Sequence, residues 1–512
     1  MLKLVVFVLF IYAALGALRL IFRPPPLEGR ARSRAATISN RTRLGRTVLV
    51  QSAGHDHDSG VVPLHDGLDA FGARIALIRE AEEALDIQYY IWQRDMTGLV
   101  LLTELRRAAD RGVRIRLLLD DNGISGLDAD LAALNALPTV QVRLFNPFIL
   151  RRPKSLGYLF DFVRLNRRMH NKSLTADGAA TILGGRNIGD IYFAFGTGPH
   201  YLDTDVLAMG QVAADAGADF DRYWASGSAY PAELILSPAP GALDRAVRDL
   251  DAALACDEAA AYRQAVVTRP LVEDLLTGHI TLEWAPVQLM SDNPAKGVGK
   301  ARHRDLMFTQ LMRMIAGPAK SVDIISAYFV PGRRFTQRLA RLAAEGRRVR
   351  ILTNSQEATD VLVVHSAYVK YRPQLIDAGV ELFELRATPA LPPEPRARGP
   401  STRASLHSKT VTVDGERIFI GSFNFDPRSA LLNTEMGVLI DSPRVAAEVA
   451  QGLDQLLPSV SYGPRRDASG RIVWHDPATE QPAVIHRREP GTNVTQRATL
   501  WLLGRLPIEW LL

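Results

Sequence analysis

Two stretches of this chain place the residue types needed for phosphodiester chemistry at the same spacing. They are Met169-His170-Asn171-Lys172-Ser173-Leu174-Thr175-Ala176-Asp177-Gly178 and Leu406-His407-Ser408-Lys409-Thr410-Val411-Thr412-Val413-Asp414-Gly415. Both read His-x-Lys-x-x-x-x-Asp. Each is followed by a glycine step and an asparagine, Gly184-Gly185-Arg186-Asn187 and Gly421-Ser422-Phe423-Asn424. His407 stands 237 residues after His170, and Asn424 stands 237 after Asn187. A lone histidine is more often a satisfied core residue. Two matched motifs at one fixed offset are not explained that way, especially in a chain with only eight lysines.

The chemistry these residues suit is transfer of a phosphodiester. Lys172 and Lys409, with Asn187, Asn424 and the Ser422 hydroxyl, are candidate donors to the non-bridging oxygens, stabilising charge in the transition state. A neutral histidine can attack phosphorus and form a phosphohistidine. A second, protonated one can give its proton to the leaving alcohol and take one from the incoming alcohol. The spacing does not say which histidine is which. Each needs an orienting carboxylate, and Asp203 or Asp205 after the first motif and Glu435 after the second are the candidates. Asp177 and Asp414 complete the motifs and are grouped with the catalytic residues. Their place before a glycine, at the end of an alternating run, also makes them turn formers.

The elements that must hold these residues are legible twice. Leu85-Asp86-Ile87 with Tyr89-Tyr90-Ile91, and Val322-Asp323-Ile324 with Tyr328-Phe329-Val330, read as buried strands, and Asp323 again lies 237 residues after Asp86. Each leads through a helical stretch to a glycine and a basic strand, Gly112-Val113-Arg114-Ile115-Arg116 and Gly346 with Arg347-Arg348-Val349-Arg350-Ile351. Strand, helix, strand implies a parallel pair with a right-handed crossover. Each His-x-Lys motif then reads as a hairpin turning at Asp-Gly. Strand alternation puts His170 with Lys172, and His407 with Lys409, on one face. The fold expected is α/β, two pseudo-symmetric lobes, each a mixed β-sheet flanked by helices. The expected segments are 1–22 apolar, 23–60 linker, 61–231 first lobe, 232–281 connecting helices, 282–461 second lobe and 462–512 C-terminal extension.

The paired motifs resemble those of the phospholipase D superfamily, over nearly the whole chain after the N-terminal segment. Leu144-Phe145-Asn146-Pro147-Phe148, Arg164-Leu165-Asn166-Arg167-Arg168-Met169-His170-Asn171-Lys172 and Gly421-Ser422-Phe423-Asn424-Phe425-Asp426-Pro427-Arg428-Ser429 resemble bacterial cardiolipin synthases. The ending Leu506-Pro507-Ile508-Glu509-Trp510-Leu511-Leu512 is similar to that of the C branch of that family. The resemblance implies phosphatidyl transfer. Phosphatidylglycerol donates, a second phospholipid's headgroup accepts (phosphatidylethanolamine being one candidate second lipid), and cardiolipin forms. It implies His170 as nucleophile and His407 as general acid/base, a location at the bacterial inner membrane, and a small accessory protein as a candidate partner. The better-known synthases carry two N-terminal spans, and this chain shows at most one.

Composition agrees without choosing. The chain has 512 residues, 47% hydrophobic and 23% charged, with a net charge of +6 suited to an anionic partner. Leu4 to Leu18 is an apolar run followed by Arg19 and Arg23, long enough for an anchor if Arg19 snorkels. A signal peptide's apolar core is the alternative, with Ala14-Leu15-Gly16 the nearest cleavage site. The arginines from Arg30 to Arg46 favour a cytoplasmic body. The lone Cys256 allows no internal disulfide and no cysteine-built metal site. His55-Asp56-His57-Asp58 reads as a solvated loop, so neither a metal nor a cofactor is expected. His365 reads as a helix residue that either faces the cleft or packs. Tyr89, Tyr90, Tyr328 and Phe329 read as core or pocket lining. The C-terminal tail reads either as membrane-interfacial or as packed on the body. Two alternatives stand beside the transferase. One is a hydrolase or nuclease of the same superfamily, although no basic-aromatic strip for nucleic acid is present. The other is an inactive membrane scaffold, against which the two intact motifs argue.

Overall fold

The structure is a computed structural model that describes residues 1–512 except 197–199, 256, 316, 318–319, 389–402, 478–483 and 512. Cys256 and Leu512 therefore lie outside the described residues. In chain order the first strands are β1 (Ser59–Leu64), β2 (Ala84–Ile91), β3 (Arg114–Gly123), β4 (Val140–Phe145), β5 (Ser173–Ala176), β6 (Ala180–Gly184), β7 (His200–Leu202), β8 (Asp205–Gly210), β9 (Ala229–Pro231) and β10 (Glu283–Ala285). All but β7 share one sheet, ordered β10-β1-β8-β6-β5-β2-β3-β4-β9. The rest are β11 (Val287–Ser291), β12 (Ser321–Ser326), β13 (Arg348–Asn354), β14 (Glu381–Leu385), β15 (Ala404–Leu406), β16 (Lys409–Val413), β17 (Arg417–Gly421), β18 (Met436–Ile440), β19 (Ser461–Arg466), β20 (Ile472–Asp476) and β21 (Val484–His486). All but β15 form the second sheet, ordered β11-β18-β17-β16-β12-β13-β14-β19-β20-β21. The run β8-β6-β5-β2-β3-β4 in one sheet matches β18-β17-β16-β12-β13-β14 in the other, which is the duplication seen in the sequence.

The parallel strands form where the sequence supplies buried runs and helical crossovers. Leu85, Ile87 and Tyr89 of β2 are buried. The helix Met96–Asp110 follows, capped by the Asp95 carboxylate, which accepts from Gly98 N at 3.0 Å. It buries Leu101, Leu102 and Leu105 against the sheet. Each such leucine contributes about 2 kcal/mol of transfer free energy. The helix stops at Gly112, whose φ of +90° lets the chain turn into β3. The two sheets face each other through Leu183, Val206 and Ala208 on one side and Ile418, Ile420, Val438 and Ile440 on the other. β7 and β15 pair in parallel and bridge the lobes a second time.

The segments between and beyond the motifs join the lobes more closely than expected. The helices Ala242–Leu254, Asp257–Val267 and Pro270–Thr277 pack on the first lobe and give Leu243, Leu250, Tyr262, Val266 and Leu275 to its core. β10, placed by sequence in the second lobe, pairs with β1 of the first sheet. The linker sends Leu44 and Val48 of the helix Arg43–Gln51 into the first core. Beyond residue 461, β19, β20 and β21 extend the second sheet. The tail then forms a helix, Val494–Leu503, opened by a capping box between Asn493 and Gln496. At the other end, Leu2–Ile21 is a 20-residue helix of mean hydropathy 2.5 with nothing buried against the body.

Candidate active site

Each motif is a hairpin, and its turn explains its aspartate. Asp177 and Gly178 have φ of +52° and +62°, and Asp414 and Gly415 have +60° and +68°. Successive left-handed residues make the two-residue turn that suits a twisted hairpin. The Asp177 carboxylate accepts from the backbone N–H of Glu82, Glu83 and Ala84 at 3.1, 2.9 and 2.9 Å. Asp414 does the same for Lys320 and Ser321 at 2.7 and 2.9 Å. Both aspartates tie a hairpin to the start of a central strand. The grouping of Asp177 and Asp414 with the catalytic residues is therefore corrected: backbone N–H groups already occupy their carboxylates.

The histidines lie at the other ends of these hairpins, where the lobes meet. His170 N donates to Thr434 O at 2.9 Å, and His407 N donates to Leu202 O at 2.8 Å, so each motif is stitched to the opposite lobe. The orienting carboxylates also cross over. His170 Nδ1 lies 2.8 Å from Glu435 Oε2, and His407 Nδ1 lies 2.5 Å from Asp203 Oδ2. A carboxylate can only accept, so each Nδ1 carries the proton and each Nε2 is left for chemistry. Asp205 is not an orienting residue. Its carboxylate pairs with the buried Arg74 at 2.8 Å and accepts from Arg186 N at 3.0 Å. Gly185 is required here, because a Cβ at that position would collide with the Asp203 carboxylate.

The lysines complete the centre. Lys172 Nζ donates to His170 O at 2.6 Å, and Lys409 Nζ donates to His407 O. An ammonium carries three N–H bonds, so each retains donors for an anion. Burial, with Lys409 adding to it, pushes Lys172 down to about 7. Lys409 is lowered too, chiefly by burial. Burial, with Lys172 adding to it and Glu435 opposing, pushes His170 down to about 4. His407 is lowered by burial and Lys409 against the pull of Asp203. Burial alone would raise Glu435, but His170, Lys172 and Ser422 hold its carboxyl below the usual range. Asp203 is likewise held well below that range by His407, Lys409 and Arg186. The result is two neutral imidazoles beside two buried lysines whose ammonium form an incoming phosphodiester anion would favour.

Two of the expected phosphate donors are engaged elsewhere. Asn187 donates through Nδ2 to Tyr192 Oη at 3.0 Å and accepts from Ile91 N at 3.1 Å. Ser422 Oγ donates to Glu435 Oε2 at 2.5 Å and accepts from Met436 N at 3.0 Å. Ser422 thus holds the carboxylate that holds His170. Asn424 is buried, and its Oδ1 has no hydrogen-bond partner among the described residues. The unpaired Oδ1 can only accept, so Asn424 stays a candidate donor to phosphate through its Nδ2 group.

Sequence reasoning missed Asp292, which accepts from Glu435 N at 3.0 Å and from Lys296 Nζ at 2.7 Å. Its only signal was an acid four residues before a rare lysine. Tyr90 meets the His170 ring edge-on at 4.9 Å, and Tyr201 stacks on His407 at 4.8 Å. Tyr89 is core, its hydroxyl accepting from Arg74 at 3.0 Å, and Phe329 is buried as well. Tyr328 donates to Asp360 at 2.8 Å. His365 pairs with Glu489 at 2.6 Å, which is the packing role. His55 stacks on Trp284 at 4.6 Å, and no cluster of metal-ligand type exists among the described residues.

Comparisons with known proteins identify the family. The family described as "Cardiolipin synthase, PLD-like domain" matches residues 75–222 and 311–457, one segment for each motif. Cardiolipin synthase C of Escherichia coli (strain K12) is 44% identical over 473 residues, 92% of this chain and 100% of that one. An uncharacterized protein of Helicobacter pylori (strain J99) is 33% identical over 85% of this chain and 86% of its own length. The crystal structure of phosphatidylserine synthase from Haemophilus influenzae aligns over 91% of this chain and 100% of that one, with TM-score 0.56 and 16% identity, which shows a shared fold. The duplicated lobes, the paired His-x-Lys hairpins and these matches place the chain in the cardiolipin synthase family with phospholipase D-like domains.

Proposed function

We propose that this enzyme forms cardiolipin by phosphatidyl transfer through a phosphohistidine on His170. The observation that carries the reading is the crossed pair of His–carboxylate contacts at 2.8 and 2.5 Å beside two buried lysines. His170 Nε2 attacks the phosphorus of phosphatidylglycerol. The bond from phosphorus to the headgroup glycerol breaks, and His407 protonates the departing oxygen. Lys172, Lys409 and Asn424 hold the non-bridging oxygens. The headgroup hydroxyl of a second phosphatidylglycerol then attacks phosphorus, gives its proton to His407 and frees His170. His170 is neutral at pH 7 and so a competent nucleophile. The bound phosphodiester anion favours the proton that His407 must carry. Phosphatidylethanolamine is the expected second, accepting lipid, but its headgroup ends in an amine and offers no hydroxyl. In this scheme the roles therefore reverse, with phosphatidylethanolamine as phosphatidyl donor and phosphatidylglycerol supplying the hydroxyl.

The apolar helix supports membrane association. The arginines from Arg30 to Arg46 favour the cytoplasmic side of the inner membrane. The test is mass spectrometry of vesicles containing labelled phosphatidylglycerol, with and without phosphatidylethanolamine, after incubation with purified wild type or His170→Ala. Labelled cardiolipin that disappears in the variant supports the reading. Phosphatidic acid in its place would make water the acceptor and the enzyme a hydrolase. Product that appears only when a membrane extract is added would call for the accessory protein. Acid-labile label that remains bound to His170→Ala would remove that residue as the nucleophile.

A further inference from the structure

The anchor does not stand apart from the body. At about 1.5 Å per residue, Leu2–Ile21 reaches roughly 30 Å, the thickness of a bilayer's hydrocarbon core. Just past its end, Phe22 stacks on Phe160 at 5.4 Å. Phe160 belongs to the helix Gly157–Leu165, which follows β4 at the carboxyl ends of the parallel strands. That helix exposes Leu159, Phe162 and Val163 by 65%, 41% and 68%. As a membrane span, the helix would place this apolar face where it leaves the bilayer.

A second apolar strip comes from the far end of the chain. In Val494–Leu503 and the turn Glu509–Leu511, Leu500 is buried, while Trp501, Leu502 and Trp510 are 62%, 58% and 60% exposed. Arg428 joins the two strips. Its Nε donates to Leu511 O at 3.0 Å, and its Nη groups donate to Asn166 O and Oδ1 at 3.1 and 2.7 Å. Arg428 lies in the short helix Pro427–Leu431, which begins three residues after Asn424 of the site. Both strips therefore border the region where the two lobes present their histidines.

We propose that these strips form one bilayer-docking rim beside the mouth of the catalytic cleft, so that the chain meets the membrane at both ends of its sequence. Soluble monomers rarely expose an apolar surface of this kind. Its continuity with the anchor argues for lipid over a second copy of the chain. Trp501 and Trp510 have the amphipathic rings that settle at headgroup level, and the Arg505 guanidinium lies 3.4 Å from the Trp501 ring centroid, at the same boundary. A lipid could then present its phosphorus to His170 while its acyl chains stay in the bilayer. This last step rests on the proposed lipid substrate; the docking does not.

The test reconstitutes the full chain into vesicles of phosphatidylglycerol and phosphatidylcholine brominated along the acyl chains. Wild-type tryptophan emission is expected to be quenched, and Trp501→Phe with Trp510→Phe to lose most of that quenching, because Trp92, Trp224 and Trp474 are buried and Trp284 is half-buried with His55 stacked on it. Equal fractional quenching in both proteins overturns the proposal. So does unquenched emission that changes with protein concentration, which would mean that a second copy covers the strip. In a second arm, Trp501→Glu with Trp510→Glu lowers the rate on vesicles several-fold and leaves the rate on monomeric short-chain phosphatidylglycerol unchanged. Equal losses on both substrates also overturn it. Quenching without cardiolipin would sink the proposed reaction and leave the docking standing. Cardiolipin without quenching would do the reverse.

Discussion

Replacing Glu435 by Gln tests the centre of this mechanism with the smallest change of shape. Glu435 is fully buried, and its Oε2 accepts from His170 Nδ1 at 2.8 Å and from Ser422 Oγ at 2.5 Å. When His170 Nε2 bonds to phosphorus, the ring becomes cationic, and the carboxylate 2.8 Å away stabilises that charge. An amide keeps at best a neutral hydrogen bond and can turn its NH2 toward Nδ1–H instead. The charged hydrogen bond is worth about 1.5–3 kcal/mol, so the plateau rate should fall by roughly ten- to 150-fold. The pH profile gives an independent sign. Glu435 opposes the fall of His170 to about 4. Its loss lowers that value further, and the acid limb of phosphoenzyme formation moves to lower pH even as the plateau drops. Quench-flow measurement of acid-labile label from phosphatidylglycerol, from about pH 2.5, below the wild-type limb, up to pH 8, reads both. A plateau within twofold of wild type, or an acid limb that moves up, would refute the role given to Glu435. The backbone anchor from Asp292 to Glu435 N is retained, so the melting temperature should change little.

Asp203→Asn and Asp205→Asn should separate cleanly. The first abolishes turnover with little loss of stability. The second leaves Arg74 and Arg186 without their buried partner and costs about 3–5 kcal/mol in urea unfolding. Asp177→Ala and Asp414→Ala should each destabilise by about 1–3 kcal/mol, through the strand N–H groups left unpaired, with kcat of the folded protein unchanged. Ser422→Ala frees Glu435 from its hydroxyl and should lower kcat about tenfold with KM unaltered. The folded-state pKa of His170 near 4 lies below its ordinary 6.5, so between these values the unfolded chain binds the extra proton. Stability conferred by the neutral ring is then lost as pH falls from about 6.5 through 4, by up to about 3 kcal/mol. His170→Gln should flatten the melting temperature over that window. An unchanged slope would count against the buried neutral ring.

What the sequence disclosed follows from which constraints are local. His170 and Lys172 share a face because they are two apart on a strand, and the Asp-Gly turn closes each hairpin whatever surrounds it. The central strands carried buried runs and crossover helices, so the duplicated core was legible. β9, β10 and β21 were not, because each has three residues held to its neighbour by backbone bonds that leave no hydrophobic period. Asp203 and Asp205 could not be told apart for a different reason. What separates them is the buried Arg74, on a helix 131 residues from Asp205, which takes one carboxylate and leaves the other to His407. The crossing itself has no local signal. Asp203 follows its own motif histidine by 33 residues and Glu435 follows its own by 28, so neither falls on the 237-residue repeat. Proximity in sequence suggested partners within a lobe. The interface instead gives each histidine the other lobe's acid, and each motif's backbone an acceptor from the other lobe. In the proposed mechanism the two motifs therefore form one active site. One lobe alone would carry His170 without the carboxylate that sets its tautomer, and Asp203 without the ring that keeps its buried charge paired. On the proposed mechanism each half completes the other's histidine, and a duplicated fold then serves a single phosphorus centre.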